Sequence, residues 1–296
     1  MTQRRFAQVD VFTDQPYLGN PLAVVLDGTG LSTAQMQAFT NWTNLSEATF
    51  VLPPTQPEAD YAVRIFCPGR ELPFAGHPTL GTCHAWLEDG GVPRGEDVVQ
   101  ECGVGLVKIK REGTRLAFAA PPLRRGGPLS EDDLQLIARG LGIARGDILH
   151  HAWCDNGPQW RGVMLASAEQ VLALKPDAQL LQGLDIGVVG PRGKVGVVGA
   201  HEAGDAQFEV RAFFPGNNGL CEDPVTGSLN AAVAQWLIGA GLAPASYVAS
   251  QGTALDRRGR VHLVRDEAGQ VWVGGESVTC ISGSVVMASA AKPPQP

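Results

Sequence analysis

The chain has 296 residues, is 44% apolar and carries a formal net charge of −7. That length suffices for two domains with a core each, and the acidic balance excludes a nucleic-acid surface, which needs a basic stripe. Glycine at 37 residues and proline at 21 imply many tight turns, so the composition predicts a strand-rich architecture with short helices.

In chain order, residues 6–12 alternate as a strand, with no apolar segment after Arg4 and Arg5 that would make a signal peptide. Leu18-Gly19-Asn20-Pro21 is a turn, and residues 22–26 form a second strand. Ser32 followed by Gln35 is a capping box, which predicts a helix over 33–43. Strands are expected at 46–52 and 61–66. Pro78 suits the first turn of a helix that continues over 79–88. Strands follow near 97–110 and 114–119. The Pro- and Gly-rich run 121–128 is the candidate linker, so the expected domains are 1–122 and 129–296, with the last strand able to return to the first domain. In the second half, Ser130 caps a helix to Leu141 that Gly142 stops. Asn156-Gly157-Pro158 then precedes a Val163-Met164-Leu165 strand, a loose echo of Gly19-Asn20-Pro21. A helix through Leu237 and strands near 247–250, 260–265, 270–273 and 278–287 complete the chain, and residues 292–296 should fray.

The two halves share a motif. Arg64-Ile65-Phe66-Cys67-Pro68 leads into Glu71-Leu72-Pro73-Phe74-Ala75-Gly76-His77, and Arg211-Ala212-Phe213-Phe214-Pro215 leads into Glu222-Asp223-Pro224-Val225-Thr226-Gly227-Ser228. The arginines lie 147 residues apart and the glutamates 151, so only the loop between the blocks changed length. A period near half the chain is far too long for a solenoid and implies two similar domains. If the repeated loops face each other, they make one small-molecule site from two halves. In each copy a glycine turn opens a helix, whose unpaired N–H groups and partial positive charge attract a carboxylate or stabilise an enolate-like oxygen. His77 and Ser228 occupy the same place in the two copies.

Other signals are weaker. No apolar stretch is long enough for a membrane span. Cys67, Cys83, Cys102, Cys154, Cys221 and Cys280 contain no CxxC pair, which fits a reducing cytoplasm and neither a disulfide framework nor a zinc site. His84, His150, His151, His201 and His262 lack metal-ligand spacing, and His150-His151 reads as a surface pair. Gly187, Gly190, Gly193, Gly196 and Gly199 have the wrong spacing for a dinucleotide fingerprint, and a strand is expected there. Ser228, His77 and Asp223 are the residue types of a hydrolase triad, but Gly227-Ser228-Leu229-Asn230 lacks the second glycine of a nucleophile elbow.

Val9-Asp10-Val11-Phe12-Thr13, Gly19-Asn20-Pro21, Asn44-Leu45-Ser46-Glu47-Ala48-Thr49-Phe50 and the two repeated blocks together resemble the phenazine-biosynthesis isomerase-like (PhzF-like) family, over roughly residues 6–283. The resemblance implies the α/β fold of the diaminopimelate epimerase-like group: two pseudo-symmetric domains, each a curved sheet or barrel around a central helix, with the active site in the cleft between them. It implies a cofactor-free isomerase in which Glu47 is the general acid and base. It also implies that His77, Asp223 and Ser228, with the N–H groups near Gly76 and Gly227, bind a small carboxylate substrate, and that the protein is a homodimer. On spacing alone Glu47 reads as an exposed strand-edge residue. In a closed cleft its charged form is disfavoured, which suits a proton shuttle. Racemases of the wider fold place a thiol in each glycine turn, where this chain has Ala75 and Pro224 or Val225, so a two-cysteine racemase is disfavoured. The expectation is a cytoplasmic isomerase with no cofactor, metal, nucleic acid or membrane partner. The alternative is a non-catalytic binding or regulatory protein on the same scaffold.

Overall fold

A computed structural model describes residues 2–193, 206–216 and 219–287. Gly196, Gly199, His201 and the expected fraying of 292–296 lie outside the described residues. The chain divides into two compact units, one made of Met1–Phe118 with Gly275–Pro296, the other of Ala119–Gly274.

The first unit runs β1 (Thr2–Val11), β2 (Asn20–Val25), α1 (Thr33–Thr43), β3 (Ala48–Leu52), β4 (Tyr61–Cys67), β5 (Arg70–Leu72), α2 (Gly76–Glu88), β6 (Val98–Cys102), β7 (Gly105–Glu112) and β8 (Arg115–Ala119). The second runs α3 (Glu131–Leu141), β9 (His150–Asp155), β10 (Gln159–Met164), α4 (Ala168–Ala173), β11 (Ile186–Pro191), β12 (Phe208–Gly216), β13 (Gly219–Asp223), α5 (Gly227–Gly239), β14 (Ser246–Gln251), β15 (Gly259–Arg265) and β16 (Val271–Gly275). Then β17 (Ser277–Met287) returns to pair antiparallel with β1.

The pairing scheme repeats. In the first unit β1–β2 is antiparallel, β2–β3 parallel, β3–β4 antiparallel, β4–β5 antiparallel and β4–β6 parallel, with a β6–β7–β8 meander. The second unit repeats these relations from β9 to β16. The four extra residues between the second Arg and Glu have a plain explanation. The β4–β5 hairpin ends at Cys67↔Arg70, whereas β12–β13 continues past Phe214↔Cys221 through Pro215↔Leu220 to Gly216↔Gly219, two further pairs.

α2 and α5 are the central helices. Each is apolar around most of its circumference, as a helix enclosed by sheet must be. α2 buries Gly76 to Cys83 and packs on β1, β2, β3, β6 and β17, while α5 packs on β9 and β15. On the outer face of the first sheet, α1 brings Met36 and Phe39 onto Phe50, Phe66 and Met287.

Several boundaries differ from the sequence expectation. α2 begins at Gly76, with Pro78 inside its first turn, where a missing N–H costs nothing. The strand expected over 97–110 is a hairpin turned at Gly105, whose φ of 99° suits glycine. β9 and α4 were not foreseen. α4 is only six residues long, too short to show a period, yet Ser167 accepts from the Gln170 N–H as Ser32 does from Gln35. The 121–128 run is not free: Arg124, Arg125 and Gly127 hydrogen-bond along β9 to Asp155 and Trp153, beside β9 as β17 lies beside β1. His151 is only half-buried at the surface and is engaged, its Nδ1 accepting from the Leu129 N–H at 3.1 Å.

Candidate functional site

The Arg and Glu of the repeated motif find each other in both units. Two-residue alternation puts Arg64 and Phe66 on one face of β4, and the hairpin register sets Glu71 opposite Phe66. Arg64 then donates to Glu71 from Nε at 2.7 Å and Nη2 at 2.6 Å. Arg211 donates to Glu222 from Nε at 2.9 Å and Nη2 at 2.7 Å. Each guanidinium also sits over the next motif aromatic, Arg64 at 5.0 Å from Phe66 and Arg211 at 4.9 Å from Phe213. These paired charges brace the hairpin that launches each central helix. The Arg–Glu part of the motif is therefore scaffold, and its other polar residues, together with Glu47, are the candidates for chemistry.

In the first unit, α1 ends on Asn44, which is left-handed at φ 57°. The chain turns there and delivers Glu47 immediately before β3. Glu47 is not the exposed edge residue that its spacing suggested: its side chain is 18% exposed. His77, the second residue of α2, is 5% exposed, and its Nδ1 lies 3.3 Å from Glu47 Oε2. The distance is that of an ion pair, but burial pushes the imidazole from 6.5 down to about 3, with the Pro21 carbonyl opposing. His77 is therefore neutral near pH 7 and can orient Glu47 by contact without pairing its charge. His77 Nε2 is buried with no hydrogen-bond partner among the described residues. Gly76 has a packing role: a Cβ there would meet Phe118 Cζ at 2.4 Å.

The charge state of His77 has a measurable consequence. Its folded pKa lies below its unfolded one, so the unfolded chain takes up a proton below pH 6.5 that the native protein refuses until about pH 3. The stability contribution is complete above 6.5 and is lost as pH falls through that window. Between pH 6.5 and 5, urea unfolding of the wild type should lose about 2 kcal/mol more than that of His77→Gln. Parallel losses in the two proteins would show that His77 is not held neutral.

In the second unit, Asp223 ends β13 and Ser228 lies in the first turn of α5. Thr226 Oγ1 donates to Asp223 Oδ2 at 2.7 Å. Ser228 Oγ accepts from Trp160 Nε1 at 3.1 Å, and the Ser228 carbonyl accepts from Asn156 Nδ2 at 2.8 Å. Indole N–H is a donor only, so the serine hydroxyl proton points elsewhere. Ser228 can therefore donate, and Trp160 provides no base that would activate it as a nucleophile. Neither Trp160 nor Asn156 stood out in the sequence as a site residue, although Asn156 lies in the Asn156-Gly157-Pro158 echo: in each unit this loop meets the second residue of the central helix. Strand register also matches Asp185, just before β11, to Glu47, just before β3, since Ile186 faces Phe213 as Ala48 faces Phe66.

The helix starts are electrostatically alike. α1, α3 and α4 are capped by Ser32, Ser130 and Ser167, whereas α2 and α5 have neither a side-chain cap nor an acidic residue in the first turn. Both central helices thus leave the partial positive charge of their first turn without a side-chain cap or an acidic neighbour. Among the described residues no cluster of three His, Cys, Asp or Glu is arranged for a metal, and no helix is long and apolar enough to cross a membrane.

The model of the family described as "Phenazine biosynthesis-like protein" matches residues 9–283. The chain belongs to that family. The phenazine biosynthesis-like chain is 38% identical, over 96% of its length and 99% of the relative's, to "Antisense-enhancing sequence 1" of Schizosaccharomyces pombe. It is 33% identical to the trans-2,3-dihydro-3-hydroxyanthranilate isomerase of Pseudomonas fluorescens, over 74% of each. The crystal structure of a PhzF family protein from Bacillus anthracis superposes with a TM-score of 0.80 at 21% identity, covering 97% of this chain and all of that one, a likeness of fold. The family's named relatives include isomerases, which supports isomerase chemistry here.

Burial opposes the thiolate at several of the cysteines. Burial pushes the Cys67 thiol up, and the nearby Glu47 charge adds to this, so the thiolate is disfavoured beside the candidate acid. Cys83 and Cys154 are pushed by burial to about 12.

Proposed function

We propose that this phenazine biosynthesis-like protein moves a proton between carbons of a small unsaturated carboxylate, with Glu47 as the single acid and base. The observation that carries the reading is the Glu47–His77 contact at the uncapped start of α2. The Glu47 carboxylate takes a proton from an activated carbon, and that C–H pair moves into the conjugated system, placing charge on an oxygen. The N–H groups at the start of α2, near Gly76, stabilise that oxygen; in the second unit the N–H groups near Gly227 and the Ser228 hydroxyl offer donors of the same kind to a ligand. Glu47, now a carboxylic acid, returns the proton to a second carbon. One C–H bond breaks, another forms, a double bond shifts, and nothing is oxidised. A neutral His77 favours this cycle, because an imidazolium at 3.3 Å would hold Glu47 ionised and weaken it as a base. Asp223 receives a donor group of the substrate.

The isomerase relatives name the first substrate to try. Incubated with trans-2,3-dihydro-3-hydroxyanthranilate or a related cyclic unsaturated acid in deuterated water, the protein should form an isomer carrying deuterium at a product carbon. Inertness toward all such acids, with binding retained, would favour a non-catalytic binding protein on this scaffold.

A further inference from the structure

Gln251, the last residue of β14, is fully buried and carries no role in the reading above, yet its side-chain hydrogen bonds all go to the turn that bears Asp223 and to Asn230 beside it in α5. Its Oε1 accepts from the Thr226 N–H at 3.0 Å and from Asn230 Nδ2 at 2.8 Å. Its Nε2 donates to the Asp223 carbonyl at 3.0 Å and to Thr226 Oγ1 at 2.9 Å. The amide orientation is forced, since exchanging Oε1 and Nε2 would set an NH2 against the Thr226 N–H and another NH2. Thr226 Oγ1 accepts from Gln251, so its own proton goes to Asp223 Oδ2, where the bond is 2.7 Å. Asn230, itself buried, completes the set with a second bond to the Thr226 carbonyl at 2.9 Å.

We infer that Gln251 is a positioning residue for Asp223, the substrate-binding residue proposed in the second unit. Acting through Thr226, it directs a hydroxyl proton onto Asp223 and so holds that side chain as an oriented, acceptor-only carboxylate. The polarity runs one way, from amide N–H to hydroxyl to carboxylate, and each bond orients the next. Register matches Gln251 to Cys102 in the first unit, where Glu71 and Leu72 stand opposite Phe66 and Ile65 as Glu222 and Asp223 stand opposite Phe213 and Ala212. Among the described residues, the relay thus occurs in the copy whose hairpin ends in an acid. A carboxylate held this way receives an amino or hydroxyl group of the ligand, in keeping with the assignment of Asp223 to substrate binding, on which this inference rests.

The test follows the carbon-13 signal of the Asp223 carboxyl in the full chain, identified by its loss in Asp223→Asn. This reading needs no turnover, so it stays informative even if the isomerase proposal fails. Gln251→Met keeps the length and removes the donors; Thr226→Val removes the hydroxyl; Thr226→Ser keeps it. The titration midpoint of the signal should rise by about one pH unit in Gln251→Met and in Thr226→Val and stay at the wild-type value in Thr226→Ser. The Gln251→Met/Thr226→Val double variant should move no further than Thr226→Val alone, because the glutamine acts through the threonine. A Gln251→Met protein that melts earlier but keeps the wild-type midpoint would reduce the residue to a structural role and overturn the inference, as would additive shifts. If Gln251→Met does not fold, equal midpoints for Thr226→Val and Thr226→Ser would overturn it.

Discussion

Glu47→Gln should lower turnover of the accepted substrate by at least about 1000-fold while leaving its binding within a few fold. The amide keeps the size of the side chain and its reach to His77, 3.3 Å away in the native protein, but it cannot take up and return a proton. A loss confined to kcat is the mark of a group needed in the transition state and not for binding. Cys67→Ser and Cys221→Ser should each remain near wild type. Cys67 is the sharper control, because its thiol is close enough to feel the charge of Glu47. An active Glu47→Gln protein beside an inactive cysteine variant would reverse the assignment and make a thiol the proton carrier.

Arg211→Ala should destabilise the protein by about 3–5 kcal/mol, whereas Arg64→Ala should cost about 1 kcal/mol or less. The two arginines occupy the same motif position and make the same forked pair, so burial decides the difference. The Arg211 and Glu222 side chains are 7% and 13% exposed, against 27% and 39% for Arg64 and Glu71. Arg211 also donates from Nη1 to the carbonyls of Val171 at 3.2 Å and Leu174 at 2.9 Å, closing the C-terminal end of α4. Removing it leaves a largely buried carboxylate without its partner and two carbonyls without that donor. Arg64 has one further side-chain bond, to Thr33 Oγ1 at 2.9 Å, and water can replace what it loses. Urea unfolding of the two variants measures the contrast; equal costs would mean that the hairpin brace works independently of solvent exposure.

Much of this protein is legible in its sequence, for local reasons. α1 and α3 begin and end where Ser32, Ser130 and Gly142 place them, because caps satisfy backbone groups within a few residues. The duplication is visible because both copies keep the same Arg, aromatic, Glu and Gly positions at nearly constant spacing, and strand register preserves that correspondence residue for residue. The family resemblance pointed to Glu47 and His77, and spacing alone left Glu47 at an exposed edge.

Tertiary structure decided what those residues touch. Glu47 meets His77 because a loop after a left-handed Asn44 and the second residue of α2 arrive together, although 30 positions separate them in the chain. Trp160 and Gln251 carry no motif, and their roles follow only from where β10 and β14 set their polar groups against the α5 turn. The return of β17 to β1 is equally non-local. Hydropathy and capping act over a few residues, whereas strand partners and buried hydrogen bonds are chosen by register and packing across the whole chain. The sequence by itself therefore determined the repeated scaffold, its likeness to a known family pointed to the candidate acid, and only the packed structure decided which side chains meet around these residues.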